Sequence, residues 1–259
     1  MSDPSVPAKD TLSRIALFRA LIFGWAGLSP NLKGAGYVLL GAALLIVLAS
    51  MVKHLSQTLP PLEIQFVRFG MGLMILVPVL WRLGFRRLRT TKIRLHATRG
   101  FVGFLANTCL YFALANMAIS DAITIQFARP LVMVVIAVLI LKQVVGWQRA
   151  LVAAVGFVGI MLITRPFGGG FQPWALVALT GTIFASSVVF VIKELTRTEE
   201  TMVIMFYFAF FTTLFSAIPA AFVWQTPTSW ELVLLFTAGL IGITGQSLFT
   251  HGLGLGETT

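Results

Sequence analysis

The sequence contains eight runs of about 20 mainly apolar residues, each long enough to cross the hydrocarbon core of a bilayer as an α-helix. They lie at about 34–52, 62–81, 100–118, 122–141, 146–164, 172–192, 202–224 and 231–252. Charged residues make up 11% of the chain, against about 25% in a soluble domain, so the polar groups are too few to cover a globular surface. The sequence therefore predicts an all-α polytopic membrane protein whose short connections make neighbouring helices antiparallel.

Residues 1–33 differ from the rest of the chain. They begin with a polar segment and continue with an apolar stretch that Arg14, Arg19 and Pro30 interrupt. We interpret them as a cytoplasmic or interfacial segment that lies on the inner membrane face. A signal peptide is the alternative, although Arg19 interrupts the apolar core that such a peptide requires.

The net charge of +10 is unevenly distributed between the two sides of the predicted membrane domain. Lys53 and Arg165 lie on one side. The other side holds fifteen basic residues: Lys9, Arg14, Arg19, Lys33, Arg82, Arg86, Arg87, Arg89, Lys92, Arg94, Arg99, Lys142, Arg149, Lys193 and Arg197. Because basic loops stay in the cytoplasm, we predict a cytoplasmic N-terminus and insertion in the cell inner membrane. The basic loops then contact anionic lipid, and no nucleic-acid partner is predicted.

An offset of about 140 residues reveals an internal repeat. Three landmarks keep this offset: "VKHLSQTLPPLEIQF" (52–66) over "IKELTRTEETMVIMF" (192–206), "GFVGFLANT" (100–108) over "GLIGITGQS" (239–247), and Pro78 over Pro219. If the repeating unit has five helices, the second copy enters the membrane from the opposite side. This is the inverted-repeat arrangement of many secondary transporters, which bind substrate near the midplane between the two copies.

Three stretches carry a resemblance to a known family: "PPLEIQFVRFGMGLMILV", "YFALANMAISDAITIQFARPLVMVVIAVLILKQVVGWQRALVAAVGFVGIMLITRP" and "SWELVLLFTAGLIGITGQSLFTHGLGLGE". Over essentially all of residues 34–259 the chain resembles the EamA-type members of the drug/metabolite transporter superfamily. The resemblance implies two inverted five-helix repeats, ten helices in all, and transport of small metabolites, often amino acids or their derivatives. The chain departs from the family at "LKQVVGW", where Lys142 and Gln143 replace a common Glu.

The resemblance also implies domain boundaries. Residues 34–166 correspond to the first repeat with helices 1–5, and residues 167–259 correspond to an incomplete second repeat with helices 6–8. Eight of the ten expected helices are then present. The tail "HGLGLGETT" is expected to be a turn into a ninth helix, which predicts a truncated or partial chain.

Two arginines lie inside the predicted spans, where a charge costs about 2.5–3.5 kcal/mol and marks a functional candidate. Arg68 is interpreted as a cation that lines the cavity and holds a substrate carboxylate, with a structural pair to Glu63 as the alternative. Arg129 precedes Pro130, which disfavours helical geometry there and frees the carbonyl of Gln126. The stretch "QFARP" is therefore the strongest local site signal, with a structural kink as the alternative.

Other polar and small residues complete the candidate site. Asn107, Gln126 and Gln246 are expected to line the same cavity, with interhelical hydrogen bonds as the alternative. His251 is a candidate for carrying a coupling proton, or else a solvated residue at a helix end. Five glycines at three-residue spacing suit close helix packing: Gly100, Gly103, Gly239, Gly242 and Gly245.

The sequence therefore predicts a secondary transporter of small metabolites, amino acids or their derivatives, which works by alternating access and prefers anionic substrates. A membrane assembly or scaffold protein is one alternative. An intramembrane enzyme is another, although His54, His96 and His251 are far apart in the chain and show no metal-ligand spacing. We predict no catalytic residues, metal or cofactor; the partners are a small-molecule substrate and the lipid bilayer, and homo-oligomerisation stays open.

Overall fold

The computed structural model describes residues 29–139 and 173–255, together with positions 151, 155–156 and 158–159. The helices within these ranges are α1 (Pro30–Leu55), α2 (Pro61–Leu83), α3 (Ile93–Asn116), α4 (Ile119–Gln126), α5 (Arg129–Leu139), α6 (Pro173–Thr196), α7 (Thr201–Phe222) and α8 (Ser229–Leu255). A short 3-10 helix, Phe85–Leu88, lies between α2 and α3. The described part of the chain is thus helical throughout, as the apolar runs predict.

Proline and glycine determine where several of these helices begin and end. Pro30, Pro61 and Pro173 occupy the first positions of their helices, where a missing N–H is harmless because it has no partner within the helix. Gly84 ends α2 with φ at 89°, a conformation that costs a glycine little. Pro78 and Pro219, the two matched prolines, both lie inside their helices.

Five helices are long and apolar enough to cross a membrane: α1, α2, α6, α7 and α8. Their outward side chains are large and apolar, with Met74, Trp81 and Phe222 exposed by 72%, 75% and 85%. Such surfaces are stable in lipid and unstable in water. The structure thus shows a polytopic helical membrane protein.

The other three predicted spans have different outcomes. Helix α3 matches the third span in position, but it begins earlier, at Ile93, and carries Arg94, His96 and Arg99 in its first two turns. The fourth predicted span is wrong as a continuous helix, because Phe127 and Ala128 form a turn between α4 and α5. The fifth span, with Lys142 and Gln143 before it, falls outside the described residues except for the five positions named above.

The helices pack in a regular set of pairs. The most extensive contacts join α1 to α8 and α3 to α6. Next come α2 with α7, α3 with α7, and α2 with α8. Helices distant in sequence are therefore direct neighbours, and α2, α3, α7 and α8 surround the centre of the bundle.

Glycines allow the closest helix contacts. A Cβ atom at Gly41 of α1 would lie 2.7 Å from the carbonyl oxygen of Gly245 in α8, and one at Gly181 of α6 would lie 3.2 Å from the carbonyl oxygen of Ala106 in α3. The prediction that the five spaced glycines serve helix packing is confirmed, since each of them lies against a neighbouring helix. Such small-residue contacts replace the hydrophobic effect, which does not drive helix association in lipid.

The contact at Gly41 gives a direct stability test. We expect Gly41→Ala to destabilise the protein by about 1–3 kcal/mol, because the new methyl group would press on the backbone of α8. Gly70→Ala is the matched control, since its nearest neighbour would be a Thr213 methyl group 3.8 Å away. Thermal unfolding in detergent measures both, and equal unfolding temperatures would contradict the close α1–α8 contact.

Candidate functional site

A cavity of about 60 Å³ lies between α1 and the helices α3 to α8. Four of the predicted site residues line it together: Asn107, Gln126, Arg129 and Gln246. Apolar side chains complete the wall, among them Leu45, Val189 and Phe208. The structure thus brings residues from four helices to one place, as expected from their polar character in an apolar bundle.

A second, smaller cavity of about 10 Å³ adjoins the first. Arg68 lines it, with Phe69, Met205 and the glycines of α8. Phe208 and Gln246 line both cavities. The five predicted substrate-binding candidates therefore line two neighbouring cavities that have Phe208 and Gln246 in common.

The turn between α4 and α5 positions Arg129. Pro130 lies in the first turn of α5 and has no N–H to continue the ladder from α4, so the chain turns at Phe127 and Ala128. The Gln126 side-chain carbonyl accepts hydrogen bonds from Arg129, one from Nε at 2.8 Å and one from Nη2. Ser186 of α6 donates to the Arg129 carbonyl at 3.4 Å. The guanidinium is thereby held at the cavity wall.

Arg68 is almost fully buried, with 3% exposure. Its guanidinium carbon lies 3.8 Å from the centre of the Phe69 ring, and Nη1 lies directly against the Cα of Gly242, where a Cβ would overlap it. Its Nε has no hydrogen-bond partner in the described structure. Glu63, the alternative partner considered from the sequence, instead accepts a hydrogen bond from the Gln225 backbone N–H at 2.8 Å.

Arg99 is a buried residue of α3 with 1% exposure, so its assignment to a cytoplasmic loop is wrong. It donates to the Ile204 carbonyl at 2.8 Å and to the Thr250 hydroxyl at 3.3 Å, joining α3 to α7 and α8. Its guanidinium carbon lies 4.4 Å from the centre of the Phe208 ring. The first turns of α3 are rich in basic residues, and such a composition is typical of a cytoplasmic loop.

Phe69 and Phe208 connect the two buried arginines. Their ring centres are 5.2 Å apart in an edge-to-face arrangement. Arg68 contacts the Phe69 ring and Arg99 contacts the Phe208 ring. The positions of the two phenylalanines differ by 139, which is the offset of the sequence repeat.

The remaining ionisable candidate, His251, is not among the residues that line the two cavities. His251 is exposed, and its ring packs edge-to-face on Tyr37 with centres 5.1 Å apart. Its proposed proton role stays a prediction. Asp121 lies in the first turn of α4 and accepts a hydrogen bond from the Ser120 hydroxyl at 3.1 Å.

Sequence reasoning missed several buried polar residues besides Arg99. Gln65 donates to the Phe104 carbonyl at 3.1 Å and accepts from the Thr108 hydroxyl at 2.9 Å, which ties α2 to α3. His96 and Tyr111 carry buried polar atoms without a hydrogen-bond partner in the described structure. Spacing along α3 was the available signal, because Arg99, Gly103, Asn107 and Tyr111 recur every fourth residue.

No group of three or more His, Cys, Asp or Glu side chains is close enough to hold a metal ion within the described ranges. Cys109 is a free cysteine. Polar contacts of the cavities therefore come from guanidinium and amide groups, which bind anionic and carbonyl oxygens.

Comparisons with known proteins agree with this architecture. The model of the EamA-like transporter family matches residues 32–165. The S-adenosylmethionine uptake transporter of Rickettsia prowazekii (strain Madrid E) is 30% identical over 215 residues, which cover 83% of this chain and 73% of that protein. The pseudopaline exporter of Pseudomonas aeruginosa (strain UCBPP-PA14) is 28% identical over 210 residues, covering 79% and 72%.

A third relative is the riboflavin transporter of Vibrio cholerae serotype O1, 26% identical over 222 residues that cover 83% of this chain and 74% of that protein. A solved crystal structure superposes with a TM-score of 0.58 at 19% identity, covering 85% of this chain and 79% of the other. At that identity the structural match supports the fold alone.

The buried position of Arg99 can be tested by its effect on stability. We expect Arg99→Gln to lower the unfolding temperature in detergent clearly, because each lost charge-assisted hydrogen bond contributes about 1.5–3 kcal/mol. Arg94→Gln is the matched control, since Arg94 lies on the same helix but is exposed. Equal changes of the unfolding temperature in the two variants would contradict the buried position of Arg99.

Proposed function

The chain belongs to the EamA-like transporter family, and from this premise we propose that it is a secondary transporter that carries a small anionic metabolite by alternating access. The relatives described above are membrane transporters of small metabolites, and the chain is a multi-pass membrane transporter. The proposal adds the charge of the substrate, the site that binds it and the movement that releases it.

The charge balance of the bundle carries the proposal. Arg68, Arg99 and Arg129 are cations that cannot lose their proton. No acidic residue occurs between Glu63 and Asp121, or between Asp121 and Glu194. Glu194 and Glu200 form ion pairs with Arg87, Lys92 and Arg197 at the end of α6 and the start of α7. An anionic substrate would supply the missing countercharge, since unpaired buried charge is costly.

The pattern of helix contacts supports two inverted repeats with a site between them. Exchanging α1 with α6, α2 with α7 and α3 with α8 turns the α1–α8 contact into the α3–α6 contact. The same exchange turns α2–α8 into α3–α7 and leaves α2–α7 unchanged, and all of these contacts are extensive. We assign residues 34–166 and 167–259 to the two repeats, whose relative motion would open the cavity to either side.

The relatives support amino acids and their derivatives as the first substrates to test. Two groups of relatives are named for transport of S-adenosylmethionine and pseudopaline, and others for riboflavin. Our proposal for this chain is an amino-acid-derived metabolite whose carboxylate binds Arg129. Gln126 would hold the guanidinium in place, and Asn107 and Gln246 would contact the polar groups of the substrate.

Arg129 provides the functional test. We expect Arg129→Gln in proteoliposomes to lower transport of anionic amino-acid derivatives about tenfold or more, because a charge-assisted hydrogen bond contributes about 1.5–3 kcal/mol. Arg94→Gln is the control and should transport like the unchanged protein. Transport of a labelled panel of acidic amino acids and their derivatives is the measurement; full transport by Arg129→Gln would refute the proposed site.

Orientation in the cell inner membrane, with the N-terminus in the cytoplasm, is also part of the proposal. Gln57 lies in the connection between α1 and α2, Thr91 lies in the connection between α2 and α3, and both are exposed. In a Cys109→Ser background, we expect Gln57→Cys to react with a membrane-impermeant maleimide in intact cells. Thr91→Cys should react only after permeabilisation, and the opposite pattern would reverse the proposed topology.

A further inference from the structure

Two arginines line two neighbouring cavities. Arg129 lines the larger cavity and Arg68 lines the smaller one, while Phe208 and Gln246 line both. A molecule that occupied both cavities would lie beside Phe208 and Gln246, with Arg129 next to one of its ends and Arg68 next to the other. Its shape is therefore elongated, with a polar group at either end.

Charge defines what those polar groups are. Among the described residues, the interior of the bundle holds three guanidinium groups, on Arg68, Arg99 and Arg129, and one buried carboxylate, on Glu63. These four groups carry a net charge of +2, so two positive charges have no countercharge among them. Burial in a low-dielectric environment makes each of them costly without a counter-ion. A substrate with a single negative charge leaves one of them unbalanced.

We propose that the substrate is a dianion, an elongated metabolite with two separate acidic groups, and that Arg68 is the residue that selects for the second one. This inference rests on the proposed transport function. One acidic group binds Arg129 beside Gln126, and the other binds Arg68 between Phe69 and Gly242. Gln246 contacts the part of the molecule between the two acids.

The surroundings of Arg68 support a specific role for it. Its Nε is buried and has no hydrogen-bond partner in the described structure, which leaves a donor for an incoming acid. The Phe69 ring supports the guanidinium at 3.8 Å. Gly242 leaves the space that Nη1 occupies, because any larger residue there would overlap it. The guanidinium is thus held in one place before the ligand arrives.

Pairs of ligands that differ by one charge test the inference. Glutamate and glutamine, and their N-acetyl derivatives, have equal lengths but differ by one carboxylate. We expect the acid of each pair to inhibit transport in proteoliposomes at a concentration about tenfold or more lower than the amide. The acid forms a charge-assisted hydrogen bond to Arg68, and the amide forms only a weaker, neutral-acceptor one. Equal competition by acid and amide would contradict the proposal of a dianionic substrate, whereas the proposal of an anionic substrate would still hold.

Variants at Arg68 identify the residue responsible. Arg68→Gln should bring the acid-to-amide ratio to about threefold or less, because the acid loses a charged partner and the amide loses only a weaker, neutral-acceptor hydrogen bond. Arg68→Lys should restore part of the ratio. A ratio unchanged in Arg68→Gln would overturn the role of Arg68.

Two further measurements keep these results decisive. If Arg68→Gln does not fold, Gly242→Ala displaces the guanidinium without removing its charge and should lower the same ratio. Arg94→Gln is the control and should keep the ratio of the unchanged protein. Failure of the folded, unchanged protein to transport any amino-acid derivative would instead refute the proposed function itself.

Discussion

Close backbone contact at glycine is the constraint on which this bundle depends. Lipid tails are as apolar as leucine, so moving an apolar side chain from lipid to a helix interface contributes little free energy. Helix association in the bilayer therefore depends on tight van der Waals packing. Gly41 and Gly245 bring α1 onto α8, and Gly181 brings α6 onto α3. These contacts determine where the helices cross, and the crossings place Phe208 and Gln246 at the centre.

Positive charge predominates among the buried ionisable side chains of the described bundle. Arg68 and Arg99 are buried against phenylalanine rings, and Arg99 also uses a backbone carbonyl and a hydroxyl group. Cation–π contacts and carbonyl dipoles reduce the cost of a buried guanidinium, but they do not neutralise its charge. The remaining positive charge is the basis of our proposal that the site binds an anionic ligand.

Particular residues show how far the sequence could predict this site. Arg129 and Gln126 were recognisable because Pro130 follows them, and a proline affects its neighbours through local geometry. Asn107 and Gln246 were recognisable as amides in apolar spans. Arg99 was misassigned, because a basic residue at the start of a helix has the same sequence context whether it faces lipid headgroups or a neighbouring helix.

The sequence by itself determined the environment and the class of the protein: apolar runs of bilayer length, a one-sided distribution of basic residues and an offset of about 140 residues between similar segments. Each of these is a property of local composition, which does not depend on how the helices meet. Only the tertiary structure decided that α4 and α5 are separated by a turn, that Arg68 lies apart from Glu63, and that Phe69 meets Phe208 between two guanidinium groups. These facts depend on which helix faces touch, and in lipid that choice rests on steric fit between distant segments, which a single sequence does not display.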